Sequence, residues 1–201
     1  MSEATARRLR AGIPAAILMW VLTILYTAFS TPAPFGWRIV RSSALLGYST
    51  IFLTILSNEY LRQMKKLFGR PFIAVHHILA VAGLVLIVAH PAGVVLLTRD
   101  PSNLVPRFDS LRLLLLFGGR PALYLILLAA ATAVARKRLI RSWRYVHWLN
   151  YAAFALAFAH AWLLGTDASH GLLAVAWPAM FVLVAIVFVR KRFARPHAKR
   201  T

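Results

Sequence analysis

The 201-residue chain contains no cysteine, and only five of its residues are Asp or Glu. The first absence excludes a disulfide framework, thiolate metal sites, iron–sulfur clusters and covalent attachment of a c-type haem. The second leaves 24 Lys and Arg almost unopposed, for a formal charge of +19. A balance of that kind points to nucleic acid when the basic residues share one face or stripe. Here they fall in short clusters between long apolar runs, which reads as membrane topology and leaves nucleic acid out as a partner. Hydrophobic residues make up 60% of the chain and the mean hydropathy is +0.69. That is too apolar for an ordinary soluble domain, so a single integral membrane domain in a lipid bilayer is expected.

The apolar runs predict an all-α bundle of six transmembrane helices, over residues 13–29, 43–61, 71–97, 121–135, 145–164 and 172–189. The first follows a basic leader, MSEATARRLR, but is longer than the apolar core of a secretory signal and so reads as an uncleaved span. TPAPFGWRIVR has the prolines and glycine of a loop, and Leu111 to Phe117 reads as an interfacial or re-entrant piece before the short fourth span. Placing both termini inside puts 18 of the 24 basic residues on that side. The positive-inside rule thus predicts cytoplasmic termini. After Val189 the sequence offers only a basic tail, so no flavin or nicotinamide domain is expected.

Two spans carry imidazoles near both ends, PFIAVHHILAVAGLVLIVAH from Pro71 and YVHWLNYAAFALAFAH from Tyr145. Polar groups at such depth are costly and need a reason. As third and fifth spans they run in the same direction, so His76 or His77 shares the inner level with His147, and His90 shares the outer level with His160. Separations of 14 and 13 residues correspond to about 21 and about 19.5 Å along a helix. Both levels fit within a hydrocarbon thickness of roughly 30 Å. Neutral imidazole is a suitable axial ligand, so two bis-histidine b-type haems are expected, with these histidines on the iron.

Fourteen residues return an ideal helix to within about 40° of the starting direction, which places His76, His90 and the intervening Gly83 on one face. Gly83 would admit a flat macrocycle or a neighbouring helix. His77 points elsewhere and is the reserve for His76. Thirteen residues leave His147 and His160 about 140° apart, an offset that tilt, local unwinding near Asn150, or haems approached from different sides would absorb. Arg70, Arg141 and Arg144 lie at the inner level, and Arg120 and Arg99 at the outer one, where carboxylates of a haem would emerge. Trp143, Trp148, Trp162 and Trp177 are expected as interfacial anchors. His170 and His197 are expected in solvent.

HHILAVAGLVLIVAH with RSWRYVHWLNYAAFALAFAH resembles the ferric reductase-like transmembrane domain, a family that includes NADPH oxidase and ferric reductase membrane cores and the bacterial MsrQ (YedZ) haem subunits. The 14 and 13 spacings are similar to the oxidase pattern. Arg120-Pro121 and the basic run before His147 look more like MsrQ, whereas His76 is the oxidase-like feature. The resemblance covers roughly Leu61 to Leu164 and implies the pairs His76 with His147 and His90 with His160. It implies transmembrane electron transfer by a haem subunit, as an oxidoreductase component rather than a complete enzyme. A cytoplasmic flavin reductase or quinol would donate, with flavin or quinone bound at the inner side. The acceptor would be a periplasmic methionine sulfoxide reductase of the molybdenum class or, on the wider family pattern, ferric iron or dioxygen. Two other classes fit an intramembrane histidine set: a proton or metal-ion transporter, and a structural membrane subunit.

Overall fold

The computed structural model describes residues 3–68, 72–139 and 143–193. Among the described residues the secondary structure is helical, without strands. The chain divides into two compact units at Asp100 and Pro101.

The first unit contains α1 (Glu3–Ser30), α2 (Phe35–Glu59), α3 (Leu61–Phe68) and α4 (Phe72–Thr98). Helix α1 starts ten residues before the predicted span, because its Arg and Leu are good helix formers and continue the helix out of the apolar run. Helix α2 also starts early, which corrects the predicted loop: only residues 31–34 separate it from α1. Gly36 is therefore not a turn glycine. A Cβ there would lie 2.8 Å from Leu97 Cδ2, so its bareness lets the start of α2 meet the end of α4.

The same device recurs along the α2/α4 contact. A Cβ on Gly47 would meet Ile87 and Leu86, one on Gly83 would meet Ile51 and Thr50, and one on Gly93 would meet Val40. Small residues allow helices to approach closely where lipid provides no hydrophobic drive for association. Helix α1 lies on α2, burying Ile24 and Ala28 completely, and Trp20 Nε1–H donates to Ser49 Oγ at 3.0 Å. In α3, Leu67 is buried and its carbonyl accepts from Arg10 Nε at 2.6 Å.

The second unit begins with a 3₁₀ turn (Pro101–Leu104), followed by α5 (Leu111–Leu116), α6 (Gly119–Val134), α7 (Arg136–Leu139), α8 (Trp143–His147), α9 (Leu149–Leu164) and α10 (Leu173–Phe193). Ser110 caps α5, its hydroxyl accepting from Leu113 N–H at 3.2 Å. Helices α8 and α9 are interrupted only at Trp148, which keeps right-handed helical dihedrals. Helix α10 runs past the predicted Val189 to Phe193, since Arg190, Lys191 and Arg192 suit a helix C-terminus. It packs on α9 through rings, Phe158 with Phe181 at 4.6 Å and Tyr151 with Phe188 at 5.0 Å.

Trp177 departs from expectation: it is 1% exposed, so it fills the interior rather than anchoring an interface. Trp148 is exposed, with the Arg192 guanidinium 5.2 Å from its ring centre.

Among the described residues, four helical stretches are long and apolar enough to cross a membrane: Thr5–Ser30, Phe35–Glu59, Ile73–Thr98 and Leu173–Phe193. Against the predicted six, α6 is a shorter apolar helix and α9 has 16 residues.

Candidate functional site

Taken by itself, each unit presents two of the predicted ligand histidines, His76 and His90 on α4 in the first, and His147 on α8 and His160 on α9 in the second. All four imidazoles meet a backbone carbonyl through Nδ1. His76 Nδ1 lies 3.1 Å from the carbonyl oxygen of Thr54, and His90 Nδ1 lies 3.0 Å from that of Val40, both on α2. His147 Nδ1 lies 3.5 Å from the Ala129 oxygen on α6, and His160 Nδ1 lies 2.7 Å from the Leu116 oxygen at the end of α5.

A carbonyl oxygen can only accept, so in a neutral ring Nδ1 carries the proton and Nε2 the lone pair. This is the tautomer of a histidine that ligates a metal through Nε2, with the other ring nitrogen oriented by a backbone carbonyl. The donor set fits a haem iron bound by two imidazoles. Each ring is half-buried.

The accepting carbonyls repeat the spacing of the histidines. Thr54 and Val40 are 14 residues apart, as are His76 and His90. Ala129 and Leu116 are 13 apart, as are His147 and His160. In the first unit α4 therefore runs in antiparallel register along α2 and turns both rings toward it, and in the second the α8–α9 segment does the same along consecutive helices, His147 meeting α6 and His160 the end of α5. The helix is disturbed between His147 and His160 at Trp148, whose N–H is shared between Arg144 O and Tyr145 O at 3.2 Å each, while Tyr151 N–H reaches Trp148 O at 3.0 Å. The two i−3 contacts are of 3₁₀ type and add about 20° each to the helical rotation, about 40° of the roughly 140° that an ideal helix leaves between the two rings.

His160 has the most specialised seat. Helix α5 stops at Leu116, and Arg120 N–H, which would close the next helical bond on Leu116, turns to Phe117 O at 3.0 Å. The Leu116 oxygen is thereby turned over to the imidazole. Gly119 makes room for the ring, since a Cβ there would lie 2.7 Å from His160 Cδ2 and 3.0 Å from Nε2. Gly118 is equally constrained by the Leu156 carbonyl, 2.7 Å from its would-be Cβ. The Gly-Gly interruption in the sequence is thus the seat of His160, a role the linear reading missed.

His147 is bracketed by Asn150, whose Nδ2 is 3.3 Å from Nδ1 and 3.4 Å from Nε2. His77 lies on the exposed side of α4, its ring centre 5.8 Å from that of His76. Gly83 faces α2, so of its two predicted uses the close helix approach is the one its surroundings meet. His170 is exposed in the loop before α10.

Among the predicted arginines, Arg120 donates to Val105 O at 2.9 Å and to Asn103 Oδ1 at 3.2 Å, and lies over the Phe117 ring. It fastens the 3₁₀ turn to the start of α6, and Tyr124 Oη–H adds a bond to Leu104 O. Arg144 is exposed, 5.9 Å from the Trp143 ring centre, and Arg99 ends α4 with a left-handed φ of 54°. Arg70, Arg141 and His197 lie outside the described residues. Among the described residues, no three His, Asp or Glu side chains converge as a metal-ion site.

With this geometry in place, the comparison with known families is decisive. The family model described as ferric reductase like transmembrane component matches residues 42–158. The chain belongs to the ferric reductase-like transmembrane family. The family match takes in α2, α4 and α6 and includes His76, His90 and His147, ending two residues before His160. No curated protein and no solved structure matches the chain. Family membership and the apolar helices together make this a multi-pass membrane protein of a transmembrane electron-transfer class.

Proposed function

We propose that the protein carries electrons across a membrane through two b-type haems, one held by His76 and His147 and the other by His90 and His160. The observation that carries this reading is the fourfold Nδ1-to-carbonyl relationship, because it prepares four Nε2 lone pairs at matching intervals on two helical segments. When bound, haem b supplies a one-electron ferric–ferrous couple. The chain's own contribution is to fix ring orientation through α2, α5 and α6 and to surround the path with apolar helices.

The reading includes six spans with both termini in the bacterial cytoplasm, supported by the distribution of basic residues. A cytoplasmic flavoprotein or quinol donates on the inner side. The acceptor lies outside, a periplasmic methionine sulfoxide reductase being one candidate and ferric iron or dioxygen the others. Arg144 and Arg120 are the arginines on described helices nearest in sequence to His147 and to the Gly119 seat of His160.

The test is a visible spectrum of the purified protein expressed with added haemin. Reducible Soret and α bands of low-spin haem b are expected. A colourless protein that folds would overturn the reading in favour of a proton or metal-ion pathway.

A further inference from the structure

Three of the four carbonyls that receive an imidazole also receive a hydroxyl from their own helix. Ser43 Oγ donates to Val40 O at 2.8 Å, Ser57 Oγ to Thr54 O at 2.9 Å, and Thr132 Oγ1 to Ala129 O at 3.0 Å. Each bond spans three residues. Other helical hydroxyls take the carbonyl four residues back, as Thr23, Thr27, Ser42, Thr50 and Thr98 do. Ser43 and Ser57 are separated by the same 14 residues as His90 and His76.

The coincidence has a chemical meaning. A carbonyl oxygen has two lone pairs, and inside a helix one already faces the backbone N–H four residues on. A hydroxyl on the same oxygen competes with the imidazole for what remains. The distances follow that competition: the shared carbonyls stand 3.0, 3.1 and 3.5 Å from Nδ1, whereas Leu116 O, at a helix break, stands at 2.7 Å. A weaker Nδ1–H bond makes Nε2 less basic and a poorer donor to ferric iron.

We infer that Ser43, Ser57 and Thr132 are positioning residues that set the strength of the ligand histidines' Nδ1 bonds, and through it the reduction potentials of the haems. The inference rests on the haem reading above. Ser57 also touches His76 directly, its Oγ 3.3 Å from Nδ1, and so mixes two effects. Ser43 and Thr132 give the cleaner test.

The experiment is a potentiometric titration of the full-length haem-loaded protein and of Ser43→Ala, Ser43→Thr, Thr132→Val and Thr132→Ser. Removing the hydroxyl strengthens the carbonyl–imidazole bond. Ser43→Ala and Thr132→Val are therefore each expected to lower one haem's midpoint potential, by up to about a tenfold change in the reduction equilibrium, ~59 mV for one electron. Ser43→Thr and Thr132→Ser keep a hydroxyl and are expected to titrate as the parent does. Unmoved potentials in Ser43→Ala and Thr132→Val with haem retained would overturn the inference and show hydroxyls that merely satisfy themselves on their own helix. Equal shifts in the hydroxyl-keeping variants would overturn it too. A parent protein without haem bands is a different failure, which removes the haem reading itself and this inference with it.

Discussion

His160 Nδ1 sits 2.7 Å from the carbonyl oxygen of Leu116, the shortest of the four imidazole–carbonyl contacts, and Gly119 lies against the same ring. The helix break at Phe117 and Gly118 releases the carbonyl, and the bare Gly119 that opens α6 leaves room for the ring.

Gly119→Ala is expected to push the His160 ring off the Leu116 carbonyl and to cost about 1–3 kcal/mol as an overpacked contact. Haem content should fall toward half, with a lowered unfolding temperature in detergent. Gly118→Ala should be at least as damaging, because the obstacle is the Leu156 backbone oxygen, which cannot rotate away. Pyridine haemochrome quantitation on both variants checks this.

The glycines between α2 and α4 should not be equivalent. A Cβ on Gly83 meets chiefly the mobile end of Ile51, while one on Gly47 meets the Ile87 backbone nitrogen at 3.2 Å and Leu86 Cβ at 3.3 Å. Alanine gains roughly 0.5–1 kcal/mol over glycine inside a helix. Gly83→Ala should therefore be close to neutral and Gly47→Ala destabilising by about 1–3 kcal/mol, as measured by thermal unfolding of the two proteins side by side.

Arg120→Ala removes two charge-assisted bonds to the 101–105 segment and should cost about 1–3 kcal/mol locally. Faster amide exchange across Pro101–Val105 is the expected sign. Arg120→Lys should restore little, because lysine lacks the planar fork that spans Val105 O and Asn103 Oδ1 together.

In the exposed loop before α5, Arg107 Nε donates to Asp109 Oδ2 at 2.9 Å. This bond, aided by a backbone hydrogen bond and by the charge of Arg107, holds the Asp109 carboxyl below the usual aspartate range. The pairing is present above that range and is lost as pH falls through the depressed value. Carboxyl NMR should show an early titration that Arg107→Ala moves back upward.

Much of this was legible in the sequence, for reasons of period and length. Apolar runs located α2, α4 and α10, and the 14- and 13-residue intervals singled out the four histidines. What stayed hidden depended on a second helix. Gly36 looked like a turn residue because nothing in TPAPFGW reveals Leu97 opposite it. Trp177 looked like an interfacial anchor because a tryptophan near a span end does not disclose that its neighbours cover it. Ser43, Ser57 and Thr132 are unremarkable in an apolar helix until the carbonyls they share are known. The tightened turn at Trp148, between His147 and His160, is likewise a backbone property without a sequence period.

Central to the proposed function is the pairing of His76 with His147 at one haem and of His90 with His160 at the other. Haem-to-protein ratios of the parent, His90→Ala, His160→Ala and the double variant decide it. The expected result is two haems in the parent and one in each of the three variants, because both substitutions remove the same haem. A double variant that loses both haems while each single variant loses one would contradict the pairing.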